Sequence, residues 1–170
     1  IVFLLLVAIF RHWGYPLLIM TTIPVGIAGG IVGLAVFNGV GSVGEMLGLG
    51  GVRQPFDMIS MLGFLILMGT VVNNPILIVD RALRNVRDEG MEALASVKEA
   101  VAVRLRPIAM STLTTLVGLS PLVFIPGAGT ELYRGVGVIV LFGILGATLV
   151  SLTMLPALTV TFLKIGGRRP

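Results

Sequence analysis

The sequence predicts an all-α fold, a polytopic transmembrane helix bundle, from three observations. Hydrophobic residues make up 56% of the chain and charged residues only 12%. Mean hydropathy is +1.06, far from the balance of a soluble domain. The apolar residues also gather into runs of about 20, the length that crosses a hydrocarbon core, with the charges collected between them. Cysteine is absent, so neither a disulfide framework nor a thiolate metal site is available. The pI of about 10.4 would point to nucleic acid in a soluble chain. Here the basic residues sit between spans, so the partner predicted is the lipid bilayer and not nucleic acid.

Residues 1–10 form an apolar run too short to cross alone and read as the end of a span. The chain opens with that run already under way and is read as a piece of something longer. A signal peptide is a poor account of it, because the basic residue Arg11 follows the apolar segment instead of preceding it. His12, the single histidine, stands beside Trp13 and Tyr15, and this group is read as interfacial, in preference to a ligand site. The first complete span is predicted over 16–37. It carries Gly26, Gly29, Gly30 and Gly33, two overlapping GxxxG pairs that allow close helix packing.

Residues 38–55 are glycine-rich, have no usable period and are read as a connection. The next span, 56–80, starts at Asp57, a residue suited to a helix N-terminus, and contains Asn73, Asn74 and Pro75. A side-chain amide in hydrocarbon needs a partner, and Pro75 removes one backbone bond while pressing on the Val71 carbonyl. A kinked polar node inside the membrane is therefore predicted, and two readings of it stay open: structural glue between helices, or function. At about 100° per residue, Asn74 is expected to point away from the face of Asn73.

A basic segment follows over 81–104, including Arg81, Arg84, Arg87 and Arg104, with Arg106 just beyond it. Gly90 marks a break in it. Leu94, Val97, Val101 and Leu105 then recur at helical spacing, which predicts an amphipathic cytoplasmic surface helix. The third complete span, 105–125, carries Pro107 in its first turn and the hydroxyls of Ser111, Thr112, Thr114 and Thr115. Each hydroxyl can bond back to the preceding turn, and together they offer a polar patch. The last span, 135–163, has Gly143, Ala147 and Ser151 at four-residue spacing for helix packing, and a bend is expected at Pro156.

Alternating loops put Arg11, the six basic residues from Arg81 to Arg106, Lys164, Arg168 and Arg169 on one side, and Arg53 and Arg134 on the other. That split of ten to two predicts a cytoplasmic basic segment and C-terminus. No Asp, Glu, Lys, Arg or His falls near the middle of a span, so this segment holds no proton carrier of its own. No HExxH motif or intramembrane aspartate pair is present, which excludes the usual membrane-protease chemistries, and no cofactor is called for.

The run VVNNPILIVD, then DEG, then RLRPIAMSTLTTLVGLSPL, then GAG and a late Pro156-Ala157, resembles the C-terminal membrane bundle of RND-superfamily efflux permeases of the acriflavine-resistance type. The resemblance covers nearly the whole chain, and its most specific piece is Arg104 to Pro107 with the hydroxyl-rich helix after it. It implies a homotrimeric, proton-driven exporter of the bacterial inner membrane, working with a periplasmic adaptor and an outer-membrane channel. It also implies large porter domains outside this chain. In the drug-efflux branch the position of Asn73 is a lysine that pairs with two aspartates of another helix, and Ser111 matches a threonine of that relay. The resemblance thus places Asn73, Asn74, Ser111, Thr112 and Thr115 next to a proton relay, and Asn73 in place of lysine implies another branch or altered coupling. An RND-like translocase subunit or a sterol-sensing-type receptor is the alternative.

Overall fold

The computed structural model describes residues 1–49, 51 and 54–166. Arg53, Arg168 and Arg169 of the charge count lie outside the described residues. The elements are α1 (Val2–Phe10), α2 (Gly14–Met20), α3 (Thr22–Met46), α4 (Met58–Val71), α5 (Asn73–Asp88), α6 (Ala93–Phe124) and α7 (Ala128–Gly166), with no strand among the described residues. They combine into four passes long and apolar enough to cross a membrane: Gly14–Met46, Met58–Asp88, Ala93–Phe124 and Ala128–Ile165.

Two of the passes are interrupted just ahead of a proline. Pro75 cannot donate to the Val71 carbonyl, and the ladder breaks at Val72, between α4 and α5. Pro24 does the same to Met20, and α2 gives way to α3 at Thr21. There the hydroxyls of Thr21 and Thr22 donate to the carbonyls of Leu18 and Ile19, both at 2.6 Å, so side chains take up part of the lost bonding. The Asp57 carboxylate accepts from the Ser60 N–H at 2.8 Å and caps α4. At the far end of α5 Gly90 turns the chain with φ +64.

Three expectations are corrected. Residues 38–46 are helical, continuing α3 to Met46, where a glycine-rich connection was predicted. Glycine costs a helix its entropy in water, but where no water competes the backbone must satisfy its own bonds. The returning chain is also held: Asn38 exchanges two hydrogen bonds with the backbone of Gln54, at 2.9 and 2.8 Å. The last helix begins at Ala128, seven residues before the predicted 135. The Thr130 hydroxyl donates to the carbonyls of Ile125 and Gly127, both at 2.9 Å, and secures that earlier start.

The amphipathic piece is likewise not a separate surface helix. It is the first part of α6, which runs without a break through Pro107 to Phe124. Its buried residues are Ser96, Val97 and Ala100, packed with Ala82 of α5 and with Val160 and Leu163 of α7, while Leu94 and Leu105 are exposed. An apolar stripe that fits a bilayer surface fits a neighbouring helix equally well, and here the neighbours take its middle, Val97 and Val101.

The helix α7 is the centre of the bundle, packed against α3, α4 and α6. Two larger apolar clusters make up the rest of the interior. One joins α1 and α2 to α5 and α7, around Leu6, Phe10, Ile19, Ile78 and Leu155. The other joins α3, α4, α6 and α7, around Leu34, Leu67, Val123, Val138 and Ile139. Glycines set the closest approaches. A Cβ at Gly26 would lie 2.8 Å from Val71 Cγ2, and one at Gly30 would lie 3.0 Å from Ile139 Cγ2. A Cβ at Gly29 would sit 3.6 Å from the Cα of Gly143, and one at Gly143 would sit 2.3 Å from Leu67 Cδ2. The side chain of Ala147 is buried in the same seam.

Candidate functional site

Asn73 and Asn74 fall at the middle of the pass Met58–Asp88, directly after the break at Val72. Around them lies a cavity of about 390 Å³ between α4, α5, α6 and α7. Its lining carries the polar side chains of Thr70, Asn73, Asn74, Ser111, Thr112, Thr115 and Thr148, set among Ile66, Val71, Leu119, Val140, Ile144 and Ala147. The five residues singled out in the sequence thus share one cavity. Pro75 is buried beside it in the first turn of α5.

The polar groups divide into an inner chain and an outer rim. Inside, the Asn74 amide donates to Thr148 Oγ1 at 3.3 Å, and Thr112 and Thr148 share a hydrogen bond at 3.2 Å. Three helices are tied by these bonds at mid-depth. Asn74 therefore does not point away from the node, as its one-residue offset predicted; both asparagines line the cavity. The one-residue offset shows instead in their placement, with Asn74 turned toward Thr148 and Asn73 exposed at the rim of a cavity wide enough to take both. At the rim, Asn73 and Ser111 are exposed. The Thr115 hydroxyl donates to the Ser111 carbonyl at 2.9 Å and that of Thr70 to the Ile66 carbonyl at 3.0 Å, each bonding back along its own helix.

Thr148 is the residue that sequence reading missed. The small-residue spacing of Gly143, Ala147 and Ser151 drew attention to its helix, and Thr148 stands next to that row. It is 7% exposed and accepts from one neighbour while sharing a proton with another. No residue lining the cavity is titratable in the physiological range, so it can orient a polar or charged partner but cannot carry the proton itself.

The basic residues sit at one end. Arg81 donates to Glu99 Oε1 at 3.0 Å, bridging α5 to α6, and Arg84 pairs with Asp80 at 3.1 Å one turn away. Asn85, fully buried, donates to Glu99 and to the Ser96 carbonyl. Arg87 and Arg106 are exposed, and Arg104 is half-buried. The loop after α1 comes to this same end, where His12 and Tyr15 meet Phe162 of α7 with ring centroids 5.9 and 5.1 Å apart. His12 Nδ1 accepts the Gly14 N–H at 2.9 Å.

Comparison with known proteins gives the arrangement a family. The AcrB/AcrD/AcrF family matches residues 1–163. The multidrug resistance protein MdtC of Erwinia tasmaniensis is 32% identical over 169 residues, 99% of this chain and 15% of that protein. MdtC of Edwardsiella ictaluri is 30% identical over 167 residues, 98% of this chain and 15% of its own length. MdtC of Salmonella paratyphi A is 30% identical over 161 residues, 95% of this chain and 14% of its own length. The chain thus spans about 15% of the length of the curated relatives it matches. A match that runs through every pass of the bundle, together with four membrane-length helices around a polar mid-depth cavity, leads to one assignment: the chain belongs to the AcrB/AcrD/AcrF family, within the RND superfamily.

Proposed function

We propose that the chain is the part of an RND-type secondary transporter, exporting substrates by proton antiport, that packs against the half carrying the proton-relay aspartates. The observation that carries this reading is the polar cavity whose rim residue, Asn73, is exposed at mid-membrane depth. An exposed amide at that depth is costly against lipid but well used against a carboxylate pair on the missing half. Thr112, Thr148 and Asn74 hold the cavity wall behind it. The names of the MdtC relatives support multidrug efflux as the activity of the whole protein. In this reading the protein is a multi-pass component of the bacterial inner membrane, a homotrimer that works with a periplasmic adaptor and an outer-membrane channel.

The assignment makes the proton site a property of the other half. Reconstituted alone in vesicles, this chain is expected to carry no proton flux above empty vesicles, whereas the full-length protein couples export to an imposed pH gradient. Proton flux through the isolated piece would overturn the placement of the relay.

The proposed topology rests on the ten-to-two charge split and on the bundle's two ends. Cysteines introduced singly at Glu45, Glu92 and Gly129 of the full-length protein should separate cleanly under membrane-impermeant labelling. Positions 45 and 129 should label from outside the cell and position 92 only after permeabilisation. External labelling at position 92 would reverse the orientation and the cytoplasmic C-terminus with it.

A further inference from the structure

Arg134, near the start of α7, is 4% exposed, and its Nε has no hydrogen-bond partner among the described residues. It stands where two cavities meet, at the end of the bundle opposite the basic segment. On one side is an apolar groove of about 520 Å³ between α3, α6 and α7, walled by Val40, Phe124 and Phe142 among others. On the other is a polar cavity of about 580 Å³ that includes Asp57 and Glu131. A desolvated guanidinium with an open N–H demands an anion, because burial removes the water that would otherwise serve it.

We infer that this place binds one zwitterionic phospholipid, its phosphate on Arg134, its ammonium toward Asp57 and Glu131, and an acyl chain along the groove.

The directions of the two cavities select this occupant. Asp57 and Glu131 begin α4 and α7, at the level where the passes leave the hydrocarbon. Phe142 lies two turns deeper along α7, so the groove runs from Arg134 into the membrane. Polar outward, cation at the boundary and apolar inward is the order of groups in a bilayer lipid. The groove is also open to the membrane: Val40 is 68% exposed and Phe124 is 66% exposed. The two carboxylates decide the head group. A purely anionic head would meet Asp57 and Glu131 as like charges, whereas an ammonium a few ångströms from the phosphate meets them as partners. Arginine suits the phosphate through its planar donor fork.

The test uses the full-length protein in nanodiscs made from equal parts phosphatidylethanolamine and phosphatidylglycerol. Lipid retained after extraction into mild detergent is measured by native mass spectrometry. The parent should retain phosphatidylethanolamine in preference to phosphatidylglycerol. Arg134→Met should lower that retention roughly tenfold or more, the loss expected of a hydrogen bond to a charged group. Val40→Trp fills the groove from an exposed position, so the fold is spared, and it should lower retention while leaving every head-group contact in place. Glu131→Gln should narrow the preference for phosphatidylethanolamine. Retention of neither lipid by the parent would mean that the groove is filled by another part of the protein, and would overturn the proposal. Equal retention of both lipids, or retention unchanged in Arg134→Met and Val40→Trp, would do the same.

Discussion

Replacing Asn73 by leucine is expected to cut proton-coupled export about tenfold or more while leaving the protein level nearly unchanged. The two halves of that expectation come from different energies. Interhelical hydrogen bonds in membranes are worth only about 0.6 to 2 kcal/mol, and Asn73 makes none to the described residues, so insertion and assembly lose little. The cost falls on the proposed partner. A hydrogen bond donated to a charged carboxylate is worth about 1.5–3 kcal/mol, and removing it raises the carboxyl's proton affinity by about one to two pKa units. Release slows accordingly. Asn73→Lys should act in the opposite sense, favouring the deprotonated aspartates and moving the export optimum to lower pH.

Asn74 cannot serve as a neutral control for this experiment, because it donates to Thr148 inside the same cavity. It tests something else. Asn74→Leu and Thr148→Val break the bonds that tie α5, α6 and α7, so they should lower stability and export together. Asn73→Leu should lower export alone. Export is measured over a pH series at matched expression. Parent-like transport by Asn73→Leu at every pH would leave the residue a structural one and remove it from the coupling proposal.

Gly33→Leu is expected to be the most disruptive of the glycine substitutions in the α3–α7 seam. A Cβ there would lie 2.2 Å from Phe142 Cβ and 2.4 Å from its Cγ. Those atoms are fixed close to the α7 backbone, so no change of rotamer relieves the clash and α3 must move off α7. Overpacking typically costs about 1–3 kcal/mol, and this site belongs at or beyond the top of that range. Gly39→Leu is the matched control. A Cβ at Gly39 meets nothing within 4 Å, so the change should be neutral or slightly stabilising through helix propensity. Thermal unfolding in detergent reads the difference. The contact itself is checked by the swap Gly33→Ala with Phe142→Gly, which should recover part of the stability that Gly33→Ala loses. No recovery would mean that the α3–α7 seam does not depend on this pair.

The local features of the bundle were readable from the chain because local physics sets them. A run of about 20 apolar residues needs a membrane whatever surrounds it. Pro75 cannot donate a hydrogen bond in any context, and the ladder breaks one residue past the carbonyl it fails to reach. Gly90 turns the chain after α5 because little else accepts φ +64. The residue types of the cavity, two amides and a row of hydroxyls, could be singled out on the same ground: polar groups in hydrocarbon require a reason.

What only the tertiary structure decided is which of these groups meet. Asn74 reaches Thr148 across 74 residues of sequence, and Thr148 reaches Thr112 across 36, separations at which no period or spacing operates. Whether Asn74 faces the node depended on where α6 and α7 stand, because the cavity they wall is wide enough to take two neighbouring residues of α5. The start of α6 had the same character. Its apolar stripe demanded burial, and a bilayer surface and a helix pair satisfy that demand alike. Asn85, folded in against Ser96 and Glu99, joins α5 to α6 and settles it in favour of the helix. Burial against a partner is a property of two surfaces at once, and a sequence carries only one of them at a time.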